Sequence, residues 1–244
     1  MTGRRPLLGG LALTGVATAA ALAVYLHVRF GGRVSAVRQT VSDYVLAPGG
    51  AAAFALMCLG LAVGSLGLVA AALGRAQMDG ADGPAPGPPL GPAVPLLLAA
   101  WCLGLTVAAL FPTDPMGSRM SLDGETHRWS IILAFVSLPA AGRLLSRRPA
   151  PAGHARAYRR IGALATSSFV MLGVLMLTYA PVVFPGLVTA PVIIGLSERF
   201  LLAVDLALLV TMALLLLRPH RPQPTPTHNY GERFWAYSAE NRSP

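Results

Sequence analysis

Six apolar stretches dominate the chain, at residues 7–28, 50–73, 92–111, 129–145, 161–184 and 200–217. Polar, basic or proline-rich segments separate them. Each stretch is close to the roughly 20 residues that a helix needs to cross a bilayer core; the fourth and sixth are shorter and extend into their flanks. They are continuous apolar runs, unlike the alternating ten-residue segments of a membrane barrel, so they predict helices. A helix also pairs its own backbone groups where no water is present to do so. The pattern therefore predicts an all-α fold, a polytopic membrane helix bundle of about six transmembrane helices over residues 1–217. A disordered cytoplasmic tail follows at 218–244.

The segments between the spans differ in kind. Residues 79–93, DGADGPAPGPPLGPA, are too rich in glycine and proline to bury a core and read as a flexible linker. Residues 181–196, PVVFPGLVTAPVIIGL, are an uncharged connection with three prolines, suited to lying in the interface or dipping into the protein. The tail from Arg218 is proline-rich and carries the aromatic patch Phe234-Trp235-Ala236-Tyr237, a possible contact for a membrane surface or a partner. Arg4-Arg5 followed by an apolar run and the alanines at 18–21 also resembles a signal peptide, but the run is longer than the roughly 7–15 residues of a signal core, which favours a retained span.

Composition supports lipid as the solvent: 54% of residues are hydrophobic and only 12% charged, against about 25% charged in a soluble protein. The formal charge is +9, and all nineteen cationic side chains are arginine. Nucleic acid is not implied, because the arginines sit between the spans, where they set orientation. Thirteen lie before span one, between spans two and three, from Arg143 at the end of span four to Arg160 before span five, and in the tail; the other six lie in the alternate loops. Both termini are thus predicted to be cytoplasmic. Arginine without lysine, together with abundant alanine, suggests a GC-rich bacterial genome and hence the bacterial cytoplasmic (inner) membrane. Cys58 and Cys102 fall inside apolar spans and read as small buried hydrophobes. No metal motif or dinucleotide or phosphate-binding loop is present, and no cofactor is expected.

The candidate chemistry lies on the side predicted to face outward. Three of the ten acidic residues, Asp114, Asp123 and Glu125, lie in the segment between spans three and four, which ends at His127-Arg128-Trp129. Asp123 and Glu125 precede a helix start, where acids are favoured by the helix dipole, and read as capping residues. Asp114 follows the C-terminal end of span three, where a carboxylate is disfavoured and needs a cationic partner. His127, Arg128 and Arg199 are available. Asp205, inside span six, is the most costly group: an acid at the membrane centre carries a penalty of roughly 2.5–3.5 kcal/mol. It lies seven residues after Glu198, two helical turns and about 10 Å along one face.

These pieces resemble a known pattern, that of a bacterial six-helix membrane family filed as domain of unknown function nine-nine-eight. The matching residues are Ser42-Asp43-Tyr44 before span two, Phe111-Pro112-Thr113-Asp114 after span three, His127 before span four, and Glu198-Arg199 before span six. The similarity covers roughly residues 7–217. It implies the topology and a choice of residues, not a reaction; Asp205 is not part of the pattern.

Three readings of these residues stand side by side. In the first, Asp114, His127, Glu198 and Asp205 perform acid–base chemistry on an apolar, lipid-like or isoprenoid substrate, supported by Asp43, Arg128 and Arg199. In the second, Asp43, Asp114, His127 and Glu198 hold a divalent metal for lipid hydrolysis, although one histidine among acids is a thin ligand set. In the third, the same groups form a network that locks helix ends in a non-catalytic lipid-binding or scaffold protein. Membrane lipids are the expected partners. The orientation makes a direct prediction. A thiol reagent that cannot cross membranes labels Arg119→Cys in intact cells and leaves His154→Cys unlabelled; the opposite pattern inverts the topology.

Overall fold

The computed structural model describes residues 4–78, 92–150, 153–179 and 193–217. The expectations for residues 79–91, 180–192 and the tail from 218 lie outside the described residues. Six α-helices are present and no strand is found among the described residues: α1 Arg4–Phe30, α2 Gly50–Met78, α3 Ala93–Leu110, α4 Leu122–Ser146, α5 Ala155–Thr178 and α6 Ile194–Leu217. A short 3-10 helix, Ser42–Leu46, lies between α1 and α2. The helices α1 to α5 are long and apolar enough to cross a membrane. The sixth, α6, has 24 residues, about 36 Å of helix, and carries Glu198, Arg199 and Asp205.

Several boundaries differ from the apolar stretches, each for a local reason. Helix α4 starts at Leu122, seven residues before the apolar run. Ser121 is its N-cap and accepts from the Gly124 amide, and Asp123 and Glu125 fill the first turn. His127 is therefore inside the helix rather than in a loop. Helix α5 begins at Ala155 and absorbs Arg156, Arg159 and Arg160. Helix α6 begins at Ile194, so Gly195 and Leu196 belong to its first turn. Hydropathy marks where a helix meets lipid, whereas caps mark where its backbone bonding begins, and the two need not coincide.

The packing is cyclic. Each helix packs on the next in sequence, and α6 closes the ring by packing on both α5 and α1. Lesser contacts of α6 with α2 and α4 cross the ring. Because the chain reverses at every connection, the C-terminal ends of α1, α3 and α5 share one end of the bundle with the N-terminal ends of α2, α4 and α6. The inner faces are apolar, with Leu26, Leu98, Trp101, Leu138, Ile161, Leu201 and Leu208 almost wholly covered. Conversely, large side chains such as Leu7, Val28, Leu56, Leu96, Leu110 and Leu177 are well exposed. Apolar bands of this extent are not carried by water-soluble monomers; here they face lipid.

Between lipid-embedded helices there is little hydrophobic drive to associate, so close backbone contact must supply the attraction. The α1–α2 joint shows this. A Cβ on Gly15 would lie 2.7 Å from both the Gly60 carbonyl oxygen and the Gly64 Cα. At the α2–α3 joint, buried Trp101 donates to Ser65 Oγ at 3.1 Å and Cys102 Sγ to the Ala62 carbonyl at 3.4 Å. Both cysteines are buried and free. Overpacking of this kind costs about 1–3 kcal/mol. Gly15→Val is expected to lower the detergent unfolding temperature measurably, while Gly10→Ala, which meets nothing within 4 Å, leaves it unchanged. Equal behaviour of the two variants would show that the α1–α2 contact is not tight.

Candidate functional site

The polar residues gather at the end of the bundle where α1, α3 and α5 finish. They form two joints. At the first, Pro112 ends α3 and holds Phe111 in extended geometry, φ −108° and ψ 118°. That geometry turns the Phe111 carbonyl toward α4, where His127 Nδ1 lies 2.8 Å away; the Ala108 carbonyl is 3.2 Å from the same nitrogen. Both neighbours are carbonyl oxygens, which only accept, so Nδ1 carries the hydrogen and Nε2 carries the lone pair. The imidazole is 4% exposed and packs against the Phe54 ring of α2.

Asp114 also belongs to this joint, but in an unexpected place. Its carboxylate accepts from the Ser121 amide at 2.7 Å and from the Ser121 hydroxyl at 2.8 Å, and lies so close over Gly124 that no Cβ would fit there. It therefore sits on the N-terminus of α4, where the helix dipole favours it, rather than suffering at the end of α3. The Ser121 bonds, with a smaller effect of the Arg128 charge, hold its carboxyl below the usual range. Asp114 faces Ser121 at the surface and does not turn toward His127's free nitrogen. Arg128 is exposed.

The second joint fastens the segment between α1 and α2 to the start of α6. Arg199 donates from one nitrogen to the carbonyls of Ala36, Gln39 and Gly195, at 2.8–2.9 Å, and from the other to Tyr44 Oη at 3.2 Å. Its guanidinium also lies over the Tyr44 ring, 5.7 Å from the centroid. Tyr44 is 1% exposed, and its hydroxyl is 3.0 Å from His27 Nδ1. Glu198 accepts from the Val41 amide at 2.6 Å. Gly195 lacks a side chain where the Ala36 and Gln39 carbonyls press on α6. Glu198 is thus bound to backbone, and Arg199 to backbone and Tyr44, not to each other.

Asp43 lies in the 3-10 helix and accepts from the Thr40 amide at 2.6 Å and hydroxyl at 3.0 Å. Burial raises its carboxyl above the ordinary value of 3.8, while those bonds, the Arg199 charge and, when it is protonated, His127 pull it down. Asp43 is therefore the group electrostatically linked to both joints. Tyr179, just past α5, joins the same neighbourhood: burial, Glu198 and Asp43 push its phenol above 10.0, and Arg128 opposes them.

Asp205 is apart from this cluster. It is 1% exposed, and its Oδ1 is 2.6 Å from the hydroxyl of Ser168 on α5, itself fully buried. Two buried side-chain atoms among the described residues lack any hydrogen-bond partner: His127 Nε2 and Asp205 Oδ2. Among the described residues, no three histidine, cysteine or acidic side chains come together in a way that could hold a metal ion. Ser121, Thr40, Ser168 and Tyr179 were not singled out from the sequence. Ser121, directly before an acidic first turn, fits the N-cap pattern, and Ser168 is a hydroxyl in an apolar span. Thr40 and Tyr179 gave no comparable signal.

Fold and site together define a multi-pass membrane helix bundle whose polar groups cluster at one end, with one acid deeper inside. The family described as "protein of unknown function (DUF998)" matches residues 10–215, and the chain belongs to that family. No curated protein and no solved structure matches it.

The Arg199 joint predicts a local effect on loop opening. A lysine, with a single nitrogen on a shorter stem and three donors, cannot serve all four acceptors at once. Arg199→Lys is expected to speed hydrogen exchange at residues 36–41 at least about tenfold, the equivalent of losing about 1.4 kcal/mol, within the range for one bond to a charged group. Unchanged exchange there would mean that the segment is held by something else.

Proposed function

We propose that this protein carries out acid–base chemistry on an apolar, lipid-like or isoprenoid substrate held inside the bundle, with His127 as proton acceptor and Asp205 as proton donor. The observation that carries this reading is the pair of unpartnered buried atoms, His127 Nε2 and Asp205 Oδ2. Leaving a buried polar atom unpaired costs about 1–3 kcal/mol, and such atoms in a native structure call for a reason. Each of these groups has one atom anchored and the other left open. His127 offers a lone pair near the outward end; Asp205 offers an oxygen near mid-membrane.

In this reaction the Asp205 hydroxyl adds its proton to one carbon of a substrate double bond. Further double bonds along the chain attack the resulting cation in turn, and a C–H bond at the far end breaks; its electron pair forms a new double bond and its proton goes to His127 Nε2. The substrate is cyclised. Protons balance and no oxidant or reductant is required. Asp43, within electrostatic reach of His127, stabilises the imidazolium that forms. Glu198, Arg199 and Asp114 serve as architecture, because backbone groups or Ser121 occupy the atoms through which they bond. That same occupation favours the second reading, a non-catalytic lipid-binding or scaffold protein. We place the protein in the bacterial cytoplasmic membrane, with the site facing outward.

Purified protein in vesicles containing isoprenoid lipids, incubated in D2O, is expected to introduce deuterium into lipid C–H positions. A general acid or base contributes about 10²–10⁴-fold, so His127→Gln and Asp205→Asn should each cut uptake at least about a hundredfold. Uptake no greater than in protein-free vesicles, or insensitive to both substitutions, would remove the acid–base reading and leave the scaffold reading.

A further inference from the structure

The Asp205–Ser168 pair holds information about which oxygen does the work. No ion pair reaches Asp205 among the described residues, and Ser168 is its one hydrogen-bond partner there. An ionised carboxylate at mid-membrane with a single neutral donor is too poorly solvated to persist, so the group is an uncharged carboxylic acid. Such an acid has one carbonyl oxygen and one hydroxyl oxygen, and Ser168 could in principle pair with either.

The hydroxyl of Ser168 decides between them. Elsewhere in the bundle, many serine and threonine hydroxyls inside helices return their hydrogen to a carbonyl of the preceding turn, among them Thr14 to Gly10, Thr106 to Cys102, Ser137 to Leu133, Thr166 to Gly162 and Thr211 to Ala207. Ser168 makes no such bond among the described residues; its bond is to Asp205 Oδ1. If Ser168 accepted a proton from Asp205, its own hydrogen would be buried without an acceptor. It therefore donates, and Oδ1 is the carbonyl oxygen.

We propose that Ser168 is a positioning residue that, by donating to Oδ1, places the acidic proton of Asp205 on Oδ2, the oxygen that has no hydrogen-bond partner among the described residues. Its catalytic meaning rests on the acid–base reading above; the placement of the proton does not. An O–H with no polar acceptor around it suits a weak, apolar base, which narrows the substrate to an unsaturated hydrocarbon chain.

Infrared difference spectra of the purified protein test this directly. Asp205 is expected to show a protonated-carboxyl C=O band at neutral pH, assigned by its loss in Asp205→Asn. Removing the donor with Ser168→Ala should shift that band to higher frequency, and Ser168→Thr should restore it. Absence of the protonated band, or no shift in Ser168→Ala, overturns the proposal. In the D2O assay, Ser168→Ala should lose most deuterium uptake and Ser168→Thr recover it. A band shift without any lipid deuteration would uphold the positioning role while sinking the acid–base reading. Deuteration without a band shift would do the reverse.

Discussion

The constraint on which this structure depends is the pairing of backbone polar groups at helix ends that are shielded from water. Each α-helix leaves four N–H and four C=O groups without partners in their own ladder, and lipid supplies none. At the polar end of this bundle, side chains take over the task. His127 binds the carbonyls that end α3, Ser121 caps α4, Asp114 steadies that cap, and Arg199 collects three carbonyls from α6 and the segment after α1. Glu198 and Asp43 take amide hydrogens of Val41 and Thr40. A collection of charges that looks like an active site is, in large part, the means by which helices end without exposing backbone.

This accounting also isolates what architecture does not explain. Once every bond to backbone or to a neighbouring hydroxyl is assigned, two buried side-chain atoms among the described residues are left over, one on an imidazole and one on a carboxyl group. They differ in character: the nitrogen can only accept, because its ring partner is fixed as a donor, and the oxygen belongs to an acid that has no cation beside it among the described residues. That pair of unpartnered atoms is the observation on which the acid–base proposal rests. The cyclic helix order matters here, since α6 brings Glu198 and Asp205 to the ring's interior and closes it against α1 and α5.

Much of the fold could be read along the chain. The apolar stretches located all six helices, because lipid imposes length and hydrophobicity on any span. Helix boundaries were less legible at α4, α5 and α6, where polar caps and arginines extend the helix beyond its apolar part. The dipole argument at Asp114 was sound physics applied to the nearer helix in sequence. In space the carboxylate docks on the N-terminus of α4, where the sign of the interaction reverses. Ser168 could not be matched to Asp205 from the sequence, since 37 residues and a connection separate them.

By itself, the sequence determined the membrane-helix class, the number of helices and the residues whose presence in lipid is costly enough to need an account. Those properties follow from one-dimensional quantities, namely run length, hydropathy and charge. Tertiary structure decided which of the costly residues are spent on backbone and which keep an atom free. That division depends on distances between segments far apart in the chain, and on the direction each side chain takes from its own helix. It left His127 and Asp205 each with one buried atom unpartnered among the described residues, and gave Asp114, Glu198 and Arg199 to the joints.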